Sequence, residues 1–166
     1  MMNKIIFFII LNFLFIPKAF SQVMDSSFYQ WEVYEIDETN EDEKKCYIVS
    51  YPIKTSSDHN ARQKPYLMIT RFAKDRSEEF SVSAGFEFKL NSEVFVLIDG
   101  YQHKLIADKN FAWTKTRSQD VKIIQTALSG GVIKVRSDSA FGTYAVDEYS
   151  LKGITRAYAR MREICK

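Results

Sequence analysis

Cysteine and histidine are nearly missing from this chain, with two of each in 166 residues. Neither pair has the close spacing of a metal site, such as C-x-x-C or H-x-x-x-H, so a zinc-ribbon or metalloprotease reading is excluded. Proline and glycine are scarce as well, at 3 and 6 residues, while aromatics reach 14%. That balance excludes a disordered low-complexity chain and fits a folded domain with a real core. Past the first 21 residues no apolar run approaches the roughly 20 residues that a membrane-crossing helix needs. Catalytic signatures are missing too: there is no G-x-S-x-G elbow and no H-E-x-x-H. The stretch "LSGGVIK" (128–134) lacks the Lys-Ser/Thr ending of a phosphate-binding loop, and it follows a predicted helix instead of opening one.

What is present begins with "MMNKIIFFIILNFLFIPKAFSQ". Lys4 opens a short positive segment, Ile5 to Ile16 is apolar but for Asn12, and Pro17 ends the run. Ala19 and Ser21 then supply small residues before the cut, the pattern of a secretory leader removed after Ser21. The expected organisation is a leader over 1–21 and one domain over 22–166. Removing the leader takes away Lys4 and Lys18 and no acid, so the formal charge falls from +2 to zero. A neutral mature chain argues against nucleic acid as a partner. Export also gives the two cysteines an oxidising compartment, where they make one possible disulfide, Cys46–Cys165. It would close a loop of about 120 residues, worth roughly 4–5 kcal/mol on the chain-entropy model.

Most of the mature sequence alternates with period two. "YQWEVYEI" sets Tyr29, Trp31, Val33 and Glu35 on one side, and Gln30, Glu32 and Tyr34 on the other. "KCYIVSYPI" reads as a strand buried on both faces. "PYLMITRFA", "EFSVSAGFEFKL", "SEVFVLIDG", "KNFAWT", "GVIKVRS" and "TYAVDEYSL" complete the strand set. Asp99-Gly100 predicts a tight hairpin turn, and "DSAFG" (138–142) a second one. The acidic run 37–43 joins the first two predicted strands, and 55–64 reads as a polar loop. Two segments switch to helical spacing. In "SQDVKIIQTALSGG" Ser118 is the expected N-cap, with Val121, Ile124, Ala127 and Leu128 as the apolar stripe. From Ile154 onward, Ala157, Tyr158, Met161, Ile164 and Cys165 form a second stripe, which places Cys165 on or beside the packing face. These elements predict a mainly β fold: a compact antiparallel β-sandwich or flattened barrel of about eight to ten strands, with helices near 119–129 and 153–164.

Three candidate sites follow from residue type. The acidic run carries five carboxylates in seven residues, but a calcium loop started at Asp37 would need Gly where Asp42 stands and Glu where Ile48 stands. It reads as a solvated loop. His59 lies in the polar loop and His103 on a strand; a hydrolase would require one of them to meet a nucleophile or acid in space. The terminal helix carries Lys152, Arg156, Arg160, Arg162 and Lys166, which could meet an anionic lipid or glycolipid surface, against the alternative of a solvated face suited to the helix dipole. The aromatics in "YQWEVY", "GFEF" and "FAW" read as core.

The ordered set Trp31-x-Val33, Cys46 in "KKCYIVS", Pro65-Tyr66, Ala84-Gly85-Phe86, Asp99-Gly100, Ala112-Trp113, Gly142-Thr143 and "DEYSLKGITRAYARMREIC" resembles the invasion-associated locus B family of alphaproteobacterial exported proteins. The resemblance runs from about residue 29 to 165, and "YSLKGIT" is its most specific part, with Ile154 where members usually carry Phe. It implies an exported, non-enzymatic, disulfide-stabilised envelope protein linked with host-cell invasion or envelope integrity, periplasmic or associated with the outer membrane. Its partner would be an envelope or host protein or lipid, with peripheral membrane contact; the alternatives to this reading are a binding module for an envelope lipid, glycan or protein, and a hydrolase. It implies no cofactor and carries over only the pair Cys46 and Cys165.

Overall fold

A computed structural model describes residues 21–37, 44–58 and 61–166. The expected leader, apart from Ser21, lies outside these residues, as do positions 38–43 of the acidic run and His59. The elements in chain order are β1 (Ser21–Phe28), β2 (Trp31–Asp37), β3 (Lys45–Ser50), β4 (Lys54–Ser57), β5 (Tyr66–Phe72), β6 (Glu78–Ser83), β7 (Glu93–Ile98), β8 (Tyr101–Asp108), β9 (Phe111–Trp113), α1 (Arg117–Ser129), β10 (Val132–Asp138), β11 (Tyr144–Ser150) and α2 (Ile154–Ile164). The strands form one antiparallel sheet in the order β1-β2-β3-β5-β6-β9-β8-β7-β10-β11-β4.

The sheet has eleven strands, against the eight to ten expected. The surplus comes from polar edges. β1 is rich in Ser, Gln and Asp, so alternation alone gives no strand signal there. β4 overlaps the start of the predicted polar loop, from Thr55 to Ser57; its four residues are exposed and pair with β11. Both lie at the ends of the sheet order, where short polar or bulged strands resist edge-to-edge aggregation.

The sheet is not closed by strand pairing. Its two ends are drawn over one another, because one continuous apolar core takes Trp31, Ile48, Ile69 and Phe80 from one half together with Val96, Ile133 and Tyr149 from the other. At the seam, the indole N–H of Trp31 donates to the carbonyl of Ser150 at 3.0 Å. Trp31 is fully buried, so an unmade indole bond would cost a desolvated donor. The result is a mainly β fold compatible with a sandwich or a flattened barrel, with its helices on the core side. α2 packs on β1, β2 and β3, and α1 packs on β6.

β3 is buried from Cys46 to Ser50 on both faces, as read from sequence. The β7–β8 turn has φ of 44° at Asp99 and 93° at Gly100, the two left-handed positions of a type I′ turn. α1 begins two residues earlier than expected. Its N-cap is Thr116, not Ser118, and the Thr116 side chain accepts from the Gln119 N–H. The buried set is Asp120, Ile123, Ile124 and Ala127, while Val121, expected in the stripe, is 54% exposed. Starting the helix earlier does not change spacing; the stripe is rotated because buried Asp120 turns inward, where its carboxylate accepts from the Phe80 N–H at 2.9 Å. α2 is capped by Gly153 at φ 97°, and a Cβ there would run into the Phe28 carbonyl. Glycine is required at that point of "YSLKGIT" by both backbone conformation and space.

Burial pushes the Asp120 carboxyl above its usual range, against the opposing pull of Phe80 N–H and the Thr114 hydroxyl. Burial and the nearby Asp120 charge also raise Glu79. A carboxyl raised in the native state stabilises the fold when protonated. That contribution is fully present below the ordinary aspartate value of about 3.9 and is lost as pH rises through the native value. Asp120→Asn keeps an oxygen for Phe80 N–H, so urea unfolding between about pH 4 and pH 7 should show a flatter stability profile than the parent. An unchanged slope would exclude Asp120 as the source.

Candidate binding surface

The disulfide expected from the cysteine count is formed: Cys46 on β3 and Cys165 just past α2 are bonded, with Cα atoms 5.7 Å apart and a separation of 119 positions in sequence. Both are fully buried. Around them Arg71 donates from Nε to the Cys165 carbonyl at 3.1 Å and from Nη1 to Glu78 at 2.7 Å. The Tyr158 hydroxyl donates to the other Glu78 oxygen at 2.5 Å. Burial and this carboxylate push the phenol up to about 12. The cluster fastens the end of α2.

The basic residues of the tail divide into two kinds. Arg160 makes a two-point pair with Asp25, at 2.8 and 2.7 Å, and also reaches Glu163 at 3.0 Å. Asp25 is placed for this by a register shift between Met24 and Ser26, a bulge that re-aims its side chain. The Arg160 hydrogen bond holds the Asp25 carboxyl below its usual range. Arg162 lies 3.5 Å from Glu78. Lys152 and Arg156 sit over the rings of Tyr29 and Phe28, at 4.3 and 4.8 Å, and Lys166 is exposed. Two of the five cations are thus neutralised by acids, which reduces the field available to an anionic surface.

His103 lies on β8 with its Nε2 buried and without a hydrogen-bond partner among the described residues. Burial, helped by Lys122, lowers its pKa and favours the neutral ring. The described residues contain no cluster of three or more metal-ligating side chains and no helix long and apolar enough to cross a membrane.

The register builds a surface that residue type alone does not disclose. Facing away from the core, Tyr34, Tyr47, Thr70 and Glu79 are successive partners across β2, β3, β5 and β6. The next row along the strands is Glu32, Val49, Met68, Ser81 and Trp113. Tyr66 pairs with Ser83 in the row beyond, where Phe111 also reaches in. Ser81 and Ser83 are buried although they face outward. Tyr34 and Tyr47 stack with centroids 5.1 Å apart and planes 12° apart. Tyr66 meets Phe111 edge-on at 6.3 Å, and Phe111 lies 6.5 Å from Trp113. Lys64 holds its ammonium 3.3 Å over the Tyr51 ring.

These rings wall an open groove of about 150 Å³, with Tyr34, Tyr47, Tyr51 and Tyr66 at its sides, Val49 and Met68 beneath, and Gln22 at the rim. Gln22 donates its amide to the Tyr47 hydroxyl. The Tyr34 hydroxyl donates to Glu32 at 3.0 Å. Burial raises the pKa of Tyr47 and Tyr51, and hydrogen bonding to Glu32 raises Tyr34, so the phenols stay neutral. A larger depression of about 380 Å³ lies between the β7–β8 turn and α1. Its one ring is Tyr101, and its Asp99 carboxylate is already satisfied by the N–H groups of Gly131 and Val132 at 2.7 and 3.3 Å. Rings and hydroxyls converge in the tyrosine groove instead.

Sequence alternation put Tyr34 opposite Trp31 and Val33, and that was the available signal. The assumption that the other aromatics fill the core hid the rest. Trp31, Phe86 and Phe88 do fill it, whereas Trp113 and Phe111 of "FAW" face outward. Comparison of the chain with protein-family models, with curated proteins and with solved structures finds no match in any of the three.

Proposed function

We propose that this is an exported, non-enzymatic envelope protein that works by binding, with the outer tyrosine face as its contact surface, and that it supports envelope integrity or host-cell invasion as the family resemblance implies. The observation that carries the binding reading is the gathering of Tyr34, Tyr47, Tyr51, Tyr66, Phe111 and Trp113 on a sheet face that neither helix covers. Rings clustered on one face, half-buried against each other and with Phe111 exposed, are a common signature of recognition surfaces, since they offer contact area with little rotamer entropy to lose. The leader pattern and the buried disulfide support export. The partner would be an envelope or host component met at the periphery of a membrane.

Purified mature protein is expected to co-sediment with a cell-envelope preparation, and Tyr34→Ala/Tyr66→Ala is expected to lose most of that binding while keeping the parent's far-UV dichroism. A gene deletion should raise sensitivity to envelope stress or reduce host-cell entry, with rescue by the parent and not by the double variant. Full rescue by the double variant, or equal sedimentation of both proteins, would refute the contact surface.

A further inference from the structure

We infer that the tyrosine groove is a glycan site, taking a short uncharged oligosaccharide. The inference rests on the binding function proposed above and names its ligand class. A sugar ring has an apolar C–H face bordered by hydroxyls, and the groove offers both complements at one place. Val49, Met68 and the ring surfaces supply the apolar contact. The polar groups at the rim are arranged in alternate sense: Tyr47 accepts from Gln22 and keeps its own proton to donate, while Tyr34 donates to Glu32 and keeps its lone pairs to accept. A hydroxyl-rich ligand that is at once donor and acceptor matches that alternation; an acyl chain would use neither the remaining Tyr47 proton nor the Tyr34 lone pairs.

Charge and size point the same way. The Tyr34, Tyr47 and Tyr51 phenols are neutral, no cation lines the groove among the described residues, and Lys64, set over Tyr51, is opposed by Glu32 in the same patch. A phosphate-bearing ligand would need more positive charge than this. From Tyr47 to Tyr51 the strand rise of about 3.3 Å per residue gives ~13 Å, the span of a short oligosaccharide. The open groove of about 150 Å³ admits a sugar ring from one side. A second copy of this chain, by contrast, would need roughly 800 Å² of complementary surface on each side.

The test is calorimetric titration of the mature protein with chitotriose and with cellotriose, alongside phosphatidylglycerol vesicles and a proline-rich decapeptide. At least one trisaccharide is expected to bind with a Kd below about 1 mM. Tyr66→Ala should weaken it about tenfold, the loss of one ring contact. Tyr66→Phe, which keeps the ring and tests the site even if the alanine variant unfolds, should stay within about threefold of the parent. No heat from either sugar, or sugar binding indifferent to Tyr66→Ala in a folded variant, would overturn the inference. Tyrosine-dependent binding of the vesicles or the peptide without sugar binding would overturn it as well, yet leave the proposed contact surface standing. Loss of envelope co-sedimentation is the separate result that would remove that surface.

Discussion

Replacing Cys46 and Cys165 together by serine is expected to lower the thermal unfolding midpoint by about 10–20 °C. The estimate has two steps. Cross-linking residues 119 apart in sequence removes loop-closure entropy from the unfolded chain worth ~4–5 kcal/mol. In a domain of this size each kcal/mol moves the midpoint by roughly 2–4 °C. The local consequence follows from what else holds α2. Ile154, Ala157 and Met161 are buried, so the start of the helix stays docked. Its end depends on the disulfide and on the Arg71–Glu78–Tyr158 cluster. Opening of that cluster exposes the buried Arg71, whose Nε would lose the Cys165 carbonyl. Hydrogen exchange in the double variant should therefore speed up most across the last turns of α2, before the sheet opens. The melt and the exchange profile together check this: a midpoint within about 2 °C of the parent would show that the staple adds nothing to the packed helix.

Arg62→Ala is expected to cost about 3–5 kcal/mol in urea unfolding. Arg62 reaches inward from the segment before β5 and grips Asp147 of β11 with both terminal nitrogens, Nη1 standing 2.9 Å from Oδ1. Its Nε donates to the Ala84 carbonyl. The side chains are only 8% and 1% exposed. Thr55 on the edge strand β4 adds a hydroxyl donor to the same carboxylate at 2.7 Å. Truncating Arg62 leaves the Asp147 charge in the core with one neutral donor, and the uncompensated desolvation sets the size of the loss. Arg62→Met/Asp147→Leu, which removes both charges at similar volume, should recover most of the stability. A double variant as unstable as Arg62→Ala would mean that the lost packing and the Ala84 bond dominate instead. The exposed pair Lys104–Glu93, at 57% and 51% side-chain exposure, serves as the comparison and should give under about 1 kcal/mol when broken.

The two buried pairs differ in how far they could be read from the chain. Two cysteines behind an expected secretory leader leave one intramolecular bond to make, so the staple needs no geometry to be foreseen. Arg62 and Asp147 carry no such signal. They lie 85 positions apart among 44 acidic and basic residues, and charged residues are ordinarily solvated. What buries them is the overlap of the two ends of the sheet, the same overlap that brings Trp31 to Ser150. The first and fourth strands went unseen for a related reason. Their backbones pair at the sheet edges with little apolar content, and the edge supplies hydrogen bonds without demanding alternation.

By itself the sequence determined the mainly β class, both helices, the turn at Asp99-Gly100 and the pairing of Cys46 with Cys165. Each rests on period, on backbone conformation or on elimination, which are local or countable properties. Only the tertiary structure decided which outward aromatics meet. Tyr34 faces Tyr47 because β2 and β3 pair in one register, and a slip of a single residue would turn the tyrosines into the core. That register is set by burying Trp31, Val33, Cys46 and Ile48 on the opposite face. The apolar side of the sheet, through its packing, therefore assembled the aromatic groove on the outside.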